Sequence, residues 1–480
     1  MTATIPENTA GAGCNQGPRS LHTEAREIFA RALEASSIPA AFDSHFHFEN
    51  GSLIHRIAGQ EARRIPLAAY RKVFVIAVGK AALAMLDTLL ERAPRLPGLR
   101  GICCAPVLPE RKHRKIRYFA GGHPSPNRDS FRSARAALRL LGSADKDTFV
   151  FFLISGGGSS LFEAPLDKRI TFADTIAFHR ALVGSGAAIA EINAVRKHFS
   201  AVKGGRLAAA AGEAAKFTVL VSDVPAQHLD ALASGPTLAD RSTVAECLEV
   251  IERYRLLDRF PPRVQAFFSD PGLPETPGEK HSREPAPAAG TPQHELHGLG
   301  NSELDVLLSN DELLEAARRE AEGRGWTVAI DNHCDDWDYR DAAQYLLQRL
   351  RQLGRDHPRL CLLSGGEVTV RLSSNPGEGG RNQQFALACA AQLAGEAASE
   401  PNASIAILSA GSDGIDGLSP AAGAVADPTT VARAREHGLD AAAALERFDS
   451  YPLFHALGDT VVTGPTNNNL RDLRILLSCR

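Results

Sequence analysis

Two glycine-rich turns carry residues of the types that bind anions. Each follows an apolar run: the first is Ser155-Gly156-Gly157-Gly158-Ser159-Ser160, and the second is Ser364-Gly365-Gly366-Glu367. Consecutive glycines let backbone N–H groups converge on an anion, and serine hydroxyls supply further donors. The turns therefore predict sites for phosphate or carboxylate groups. A tight turn without a ligand is the alternative for the first, and the shared Ser-Gly-Gly pattern fits either an internal duplication or a chance recurrence.

Two basic residues stand where they could neutralise a phosphoryl group. Lys80 follows an apolar run and one glycine, and it opens a helix-forming stretch whose N-terminus already favours anions. Arg381 lies between Gly379-Gly380 and Asn382 at the start of another predicted helix, and its guanidinium can bind a phosphoryl group through two N–H groups. We expect Asn382 to belong to the same anion site. A solvated lysine at a helix start is the alternative for Lys80.

A second basic cluster lies on a helix predicted between Glu191 and Arg206. Arg196 and Lys203 are seven residues apart and therefore share one face of that helix. The pair could hold a phosphate or a carboxylate, but helices also solvate a basic face without any ligand. Both interpretations remain open from the sequence.

Three aspartates are candidates for metal binding or proton transfer. Asp223 follows an apolar run in the sequence Ser-Asp-Val-Pro, where it could orient Mg²⁺ or accept a hydroxyl proton. Asp413 and Asp416 lie three apart in a glycine-rich loop and compete with Asp223 for the metal role. A turn or a helix cap is the alternative for Asp223.

The elements that must position these residues alternate between helices and strands. That alternation predicts an α/β fold with a largely parallel sheet. In such sheets, ligands bind at the carboxyl ends of the strands, where most of the polar residues named above are found. The apolar runs that predict strands are Val73–Val78, Thr148–Ile154, Phe217–Val221, Trp326–Ile330, Leu360–Leu363 and Ile405–Leu408.

Composition divides the 480-residue chain, whose length predicts more than one domain. Residues 269–302 are rich in Pro, Gly and charge, which is typical of a linker or an exposed insertion. We therefore expect a mobile tail over residues 1–20, an N-terminal α/β domain over 21–268 and a C-terminal α/β domain over 303–480. An insertion within one compact unit is the alternative for 269–302.

Charge and hydropathy exclude several classes of partner. The chain has 53 Lys and Arg against 56 Asp and Glu, a net charge of −3, so it has no global attraction to nucleic acid or to an anionic membrane. It has no apolar run long enough to span a bilayer, and its first residues lack the basic and apolar regions of a signal peptide. We expect a cytoplasmic protein with no nucleic-acid or membrane partner. The sequence does not decide the oligomeric state, and a homodimer is one possibility.

Together these residues match the needs of phosphoryl transfer, in which catalysis is mostly positioning and charge stabilisation. The chain lacks the GxxxxGK[ST] pattern of a Walker A loop. Leu161 also stands where a dinucleotide-binding GxGxxG turn needs a small residue. The sequence therefore predicts a small-molecule kinase of a non-Walker type.

Several blocks of the sequence resemble one known family over nearly the whole chain from about residue 21 to 478. In order, they are VIAVGKAALAM, GGHPSPN, LISGGGSSLFEAP, INAVRKHFSAVKGGRLA, VLVSDVPAQHLDALASGPT, LLSGGEVTV, GGRNQQFALA, SAGSDGIDG, AGAVAD and VTGPT. These blocks look like the class II glycerate kinases, which combine a glycerate-kinase N-terminal region with a C-terminal MOFRL region. Some members carry the label hydroxypyruvate reductase.

The resemblance implies transfer of the ATP γ-phosphoryl group to D-glycerate with Mg²⁺, usually giving 2-phosphoglycerate. It also implies two α/β domains with a cleft between them, the larger a Rossmann-like three-layer α/β/α sandwich. By motif match, Lys80 is similar to the family's essential lysine, Arg381 to its essential arginine, and Asp223 to a site aspartate. The two glycine-rich turns would then hold the anions of substrate and nucleotide.

Two departures from the family pattern affect the expected substrate. The chain has Asn467-Asn468-Asn469-Leu470 where the family usually has GTNV, and Ser160 where it usually has Ala. A kinase for another small hydroxy acid is therefore an alternative. An NAD(P)H-dependent hydroxypyruvate or tartronate reductase and a non-catalytic sensor are the rivals from other classes.

Overall fold

A computed structural model describes residues 18–57, 61–278, 302–372, 375–396, 404–466 and 468–480. The chain forms two compact units. The first unit comprises residues 41–309, and the second comprises residues 1–40 together with 310–480. Most of the expected tail and most of the expected linker lie outside the described residues, as does Asn467.

A six-stranded parallel sheet forms the centre of the first unit. Its central strands are buried almost throughout, because helices flank a parallel sheet and keep water from it. This explains why the same runs appear in the sequence as continuous apolar segments. In spatial order the strands are β6 (Ile116–Ala120), β5 (Arg100–Ala105), β4 (Lys72–Val78), β7 (Thr148–Ser155), β8 (Ala215–Val221) and β9 (Ser302–Leu308).

The helices of this unit follow the strands in chain order. They are α3 (Ala82–Arg92), α4 (Arg128–Leu141), α5 (Gly158–Leu161), α6 (Phe172–Val183), α7 (Ile189–Phe199), α8 (Arg206–Ala209), α9 (Val244–Arg253) and α10 (Pro262–Phe268), with 3₁₀ segments at Leu67–Ala69, Ala226–Ser234 and Leu257–Arg259. Helix α4 starts at a capping box in which the Ser130 N–H donates to Asn127 Oδ1 at 2.9 Å. Its apolar face joins the core of the sheet through Ala134 and Leu141.

A short antiparallel sheet lies near the start of the same unit. Its strands are β1 (Phe46–Glu49), β2 (Ser52–His55) and β3 (Arg63–Ile65). Helix α2 (Ile38–His45) precedes it and contains the boundary between the two units.

The second unit is built on a mixed sheet. Strands β10 and β11 are parallel, and the other pairs are antiparallel. Every residue of β15 is buried, because this strand lies in the middle of the sheet. In spatial order the strands are β10 (Thr327–Ile330), β11 (Arg359–Gly366), β15 (Asp472–Cys479), β12 (Ser404–Gly411), β13 (Gly423–Ala426) and β14 (Thr460–Val461).

Helices from both ends of the chain pack on this mixed sheet. Helix α1 (Pro18–Ala35) contacts β12, and its His22 lies 2.9 Å from the Asp427 carboxylate. The remaining helices are α11 (Asn310–Gly323), α12 (Tyr339–Gly354), α13 (Arg381–Glu396), α14 (Thr430–Glu436), α15 (Ala441–Arg447) and α16 (Ser450–Leu457).

All six predicted strands are present, and the α/β class is confirmed. The largely parallel sheet holds for the first unit only, because β15, which no pattern predicts, inserts antiparallel between β11 and β12. The units also divide the chain differently from the expected domains: residues 18–40 pack with the C-terminal part, and β9 extends the first sheet. In the described residues, no helix combines the length and the apolarity that crossing a membrane requires.

Candidate active site

Lys80 and the first glycine-rich turn are joined at the carboxyl ends of β4 and β7. The Lys80 N–H donates to the carbonyl of Gly156 at 2.9 Å, and the Ala81 N–H donates to Ser155 Oγ at 3.0 Å. Gly79 has a φ of +123°, and a Cβ there would lie 2.2 Å from Ser155 Oγ. Only glycine allows this close approach, so the lysine and the turn are held together by the backbone.

Asp223 reaches the same turn from the end of β8. A Cβ on Gly156 would lie 1.8 Å from Asp223 Oδ2, so the carboxylate rests directly on the glycine. On Gly157, a Cβ would meet Lys80 Cγ at 3.2 Å. Strands β4, β7 and β8 are neighbours in the sheet, which is why residues distant in sequence converge here. Three of the predicted elements therefore meet in the first unit.

A cavity of about 580 Å³ opens beside this turn. Its volume falls in the range of small-molecule sites, roughly 300–1,000 Å³. One wall is apolar and includes Val183 and Ile189, which are also exposed. Lys80 borders the turn without lining the cavity. The polar residues that line it include His123, Ser159, Ser160, Asn193, Arg196 and Asp223.

His123 is a site residue that the sequence patterns do not predict. Its Nδ1 lies 3.0 Å from Ser160 Oγ, so it belongs to the polar wall of the cavity. Burial, and then the positive charge of Lys80, hold the pKa of His123 below its usual value of 6.5. The other serine of the turn, Ser159, shares a 2.8 Å hydrogen bond with Ser234.

The predicted Arg196 and Lys203 pair is separated by the structure. Helix α7 ends at Phe199, and the chain then turns at Gly204 and Gly205, whose φ angles are +53° and +79°. Arg196 lines the cavity, and its Nε is buried without a hydrogen-bond partner among the described residues. An arginine with such a donor is suited to binding an anion.

Lys203 is directed into the core instead. It pairs with Glu163, which also accepts hydrogen bonds from Ser200 Oγ at 2.6 Å and from His179 at 3.1 Å. Burial opposes the ionisation of Glu163, but Lys203 and His179 lower its pKa to about 2. The prediction that Lys203 binds an anion is therefore wrong: the lysine is fully buried and neutralised by Glu163.

The second glycine-rich turn has no open donors at its centre. The N–H groups of Gly365, Gly366 and Glu367 donate to Asn332 Oδ1 at 2.8 Å, Asn310 Oδ1 at 3.0 Å and Asp335 Oδ1 at 2.9 Å. Ser364 is fully buried beside Cys334. Side chains of the same unit occupy the places that an anion would need, contrary to the prediction for this turn.

The side chain of Glu367 forms an ion pair with Arg381. The Arg381 guanidinium lies 2.8 Å from Glu367 Oε1, and it forms a bidentate pair with Asp472 at 2.6 and 3.0 Å. Burial opposes its charge, but Asp472 and Glu367 raise the pKa of Arg381 above its usual value. Asp472 opposes Gly366 and Gly411 in the sheet register, so it holds Arg381 beside the ends of β11 and β12.

Asn382 and Asp416 form the capped start of helix α13. The Asp416 carboxylate accepts hydrogen bonds from the N–H of Asn382 at 3.0 Å and the N–H of Gln383 at 2.9 Å. Burial raises the pKa of Asp416 to about 6. Asn382 is itself 1% exposed and accepts from Ser409 Oγ at 2.6 Å. Both predicted site residues are therefore buried in the helix cap, and backbone N–H groups occupy both carboxylate oxygens of Asp416, contrary to the prediction of a metal ligand.

Asp413 lies near the ion pair between Arg381 and Asp472. A Cβ on Gly411 would lie 3.2 Å from Asp413 Oδ1 and 3.3 Å from Asp472 Oδ1, so both carboxylates approach the same glycine. Asp413 Oδ1 also accepts the Ile415 N–H at 3.2 Å. Within the described ranges, no three His, Cys, Asp or Glu side chains are grouped to hold a metal ion by themselves.

Two known families match the chain in order. Residues 24–269 match the domain of unknown function DUF4147, and residues 360–472 match the MOFRL family. The two matches lie on either side of the expected linker, 269–302.

Curated relatives cover most of the chain. A protein of Agrobacterium vitis named putative hydroxypyruvate reductase is 36% identical over 84% of this chain and 98% of its own length. The glycerate 2-kinase of Pyrococcus horikoshii is 33% identical over 85% and 87% of the two chains, and the D-glycerate 2-kinase of Thermotoga maritima is 32% identical over 86% and 92%.

Solved structures agree with these relatives. The crystal structure of a glycerate kinase from Thermotoga maritima superposes with a TM-score of 0.79 and 31% identity, covering 96% of this chain and 100% of that one. A protein from Pyrococcus horikoshii superposes with a TM-score of 0.76 at 28% identity. The chain therefore belongs to the glycerate kinase family that joins a DUF4147 region to a MOFRL region.

Proposed function

We propose that this protein transfers the γ-phosphoryl group of ATP to D-glycerate and forms 2-phosphoglycerate. One observation carries the proposal. Lys80, the first glycine-rich turn and Asp223 gather from three adjacent strand ends beside a cavity of about 580 Å³. A lysine, an anion-binding turn and a carboxylate are the parts that phosphoryl transfer requires.

In this proposal, Lys80 and the turn neutralise charge on the transferring group. The lysine backbone is fixed by the hydrogen bond to Gly156, so its ammonium group works from an anchored position. Preorganised charge of this kind is the main source of rate enhancement in phosphoryl transfer. Ser160 and Arg196 of the cavity wall would hold the carboxylate of the hydroxy acid or a phosphate of the nucleotide.

Asp223 is the residue that we assign to Mg²⁺ or to the substrate hydroxyl. Mg²⁺ in kinases is commonly held by one or two carboxylates together with phosphate oxygens and water, and it neutralises the charge of the phosphates. Asp223 fits this role because it lines the cavity beside the turn. Asp416 does not fit, because backbone N–H groups occupy both of its oxygens.

Arg381 is the residue of the second unit to which we assign anion binding. Its Nε and Nη2 are fixed by Asp472 and Glu367, which leaves Nη1 to meet a phosphoryl oxygen. A guanidinium held on two sides keeps one orientation, and this restricts the geometry of any anion that it binds.

A reductase is the second candidate, because some relatives carry that name. Leu161 is fully buried, and its carbonyl oxygen lies 3.0 Å from Cys104 Sγ. A dinucleotide-binding turn needs a small residue at this place for close packing of helix and strand. This observation favours the kinase.

The test mixes the full-length protein with MgATP and D-glycerate, follows ADP release, and passes the product to enolase. We expect ADP release with enolase turnover, and a loss of about 100-fold or more in Lys80→Ala and Arg381→Ala. Lys72→Ala is the matched control, because Lys72 lies at the other end of β4 and pairs with Asp145 on the surface. ADP release without enolase turnover would contradict the proposed product. Oxidation of NADH by hydroxypyruvate without ADP release would establish the reductase.

A further inference from the structure

Four arginines form a stripe along helix α4 in the first unit. Arg128, Arg132, Arg135 and Arg139 follow one another at spacings of four, three and four residues, which places them on one face of the helix, and all four are exposed. Like charges at these spacings destabilise a helix. Among the described residues the stripe forms one ion pair, between Arg132 and Asp129 at 3.1 Å. Most of its charge is therefore uncompensated by the protein.

Three of these arginines surround a cavity of about 290 Å³ with two aromatic rings. The lining residues are Arg128, Phe131, Arg132, Arg135 and Phe172. The two rings meet edge to face with centroids 5.1 Å apart, and Phe172 is 36% exposed. The two rings offer an apolar surface beside the guanidinium groups, and guanidinium groups form short, charge-assisted hydrogen bonds to phosphate and carboxylate oxygens. Arg139 belongs to the stripe and does not line the cavity.

The surrounding sequence adds to this charge. Residues 108–140 contain nine Lys or Arg and two acidic residues, Glu110 and Asp129, although the whole chain has a net charge of −3. Local positive potential of this kind attracts anions even when the net charge of the protein is negative.

The same two helices frame the larger cavity at the candidate active site. The segment that leads into α4 contributes His123, Pro124, Ser125 and Pro126 to that cavity. Helix α6, which begins at Phe172, contributes Ile176, His179, Arg180 and Val183 from its later turns. A ligand held between Arg132 and Phe172 would therefore contact both elements that shape the active-site wall.

We propose that the α4 arginine cavity is a second binding site, specific for a small phosphorylated carboxylic acid. Three guanidinium groups can bind one phosphoryl group and one carboxylate together, and the volume suits a molecule of about three to six carbons. Occupation of this site changes turnover at the larger cavity through α4 and α6. The binding step does not depend on the proposed function. The effect on turnover rests on the proposed function.

Calorimetric titration of the full-length protein with 3-phosphoglycerate, without nucleotide or Mg²⁺, tests the binding step. We expect two sites in the unaltered protein. In the double variant Arg132→Gln/Arg135→Gln, one of these two sites should bind 3-phosphoglycerate at least about tenfold more weakly. Arg139→Gln, which removes the same charge from the same helix outside the cavity, should keep that affinity. Arg196→Gln should affect the other site only.

Three outcomes would overturn the proposal. Equal weakening in Arg139→Gln would show diffuse attraction to the helix and no built site, and a short single-stranded RNA that binds all charge variants according to net charge would identify a polyanion surface. Unchanged binding in the double variant would also end it. For turnover, we expect 3-phosphoglycerate to alter kcat in the unaltered protein and not in the double variant. Absence of glycerate phosphorylation in every variant, with the calorimetric result intact, would contradict the proposed function alone.

Discussion

The two Ser-Gly-Gly turns have nearly the same sequence and different structural roles. The first leaves its strand at Ser155 and turns beside a cavity, with Asp223 resting on Gly156. The second remains part of β11 as far as Gly366, where it pairs with β15 at Asp472. We call the first the open turn, because it borders a cavity, and the second the closed turn, because it continues a paired strand.

Side chains from elsewhere in the chain cause this difference. The N–H groups of the second turn are occupied by Asn310, Asn332 and Asp335, which lie 56, 33 and 32 residues earlier in the chain. The glycine motif supplies the backbone freedom, but distant polar residues decide whether an anion can use it. In the second unit, the closed turn instead supports Arg381 through Glu367, and Arg381 is the residue to which we assign anion binding there.

Equivalent alanine substitutions in the two turns should give the largest and most different effects. In Gly156→Ala the new Cβ would lie 1.8 Å from Asp223 Oδ2 and would displace the carboxylate from the cavity. We expect kcat/KM to fall about 100-fold or more, since a displacement of about 1 Å in an active site can have this effect. Steady-state kinetics with glycerate and ATP, together with a thermal melt, measure it.

Gly365→Ala is the matched variant, and it should act on stability. Its Cβ would lie 1.9 Å from Asn310 Oδ1, and displacement of Asn310 would break its hydrogen bonds to Gly366, Leu470 and Asp472. We expect the free energy of unfolding in urea to fall by about 1–3 kcal/mol. If Gly365→Ala folded normally and lost activity as Gly156→Ala does, the two turns would be functionally alike and the comparison would be wrong.

The contrast between the turns also marks what the sequence can predict. The proximity of Lys80 and Asp223 to the first turn is predictable because all three follow strongly apolar strands, and the carboxyl ends of neighbouring parallel strands must lie together. Asp472 is not predictable in this way, because it begins an antiparallel strand whose place between β11 and β12 depends on long-range pairing.

The wrong predictions have a similar cause. Lys203 has the right type and spacing for a helical anion site, but the helix ends at Phe199 and the lysine pairs with Glu163 in the core. Asp416 is a typical metal-loop residue, but it caps the helix that begins with Arg381. A local sequence pattern identifies the residue type and the helix, strand or loop that carries it. The role of the residue depends on its burial and on the side chains with which it pairs, and these are set by distant parts of the chain.

Removal of the Asp472 carboxylate should give the next largest effect. In Asp472→Asn, Arg381 loses its bidentate partner and keeps Glu367 at 2.8 Å, so its guanidinium has more freedom. We expect kcat to fall about 10- to 100-fold with a smaller change in KM for glycerate, because we propose that the arginine acts on the charge that develops during transfer. Initial-rate kinetics over both substrates separate kcat from KM.

Asp459→Asn is the control for Asp472. It removes a buried carboxylate from another arginine of the same unit, Arg433, at 2.6 Å. We expect it to alter thermal stability and to leave kcat near that of the unaltered protein. A kcat loss of the same size in both variants would mean that Asp472 serves the fold and has no special role in positioning Arg381.

Alanine substitutions of one serine in each turn should change the kinetics by a smaller factor than the substitutions above. In Ser160→Ala the cavity loses a hydroxyl that bonds His123, and we expect KM to rise about two- to tenfold, the value of one hydrogen bond. In Ser364→Ala the lost hydroxyl is buried and contacts Cys334 only weakly at 3.5 Å, so kinetics should not change. Equal kinetic effects would show that the second turn also reaches a substrate.

His123 should give the smallest effect, and only in acid. Burial and Lys80 hold the pKa of His123 below 6.5, so the side chain is neutral at neutral pH and gains a positive charge only as the pH falls below that value. The pH profiles of kcat/KM for the unaltered protein and for His123→Gln should therefore run parallel above pH 6.5 and diverge below it. His47→Gln, an exposed histidine on β1, is the control and should follow the unaltered protein throughout. A divergence centred above 6.5 would contradict this prediction, because it would mean that a negative charge and not Lys80 dominates the surroundings of His123.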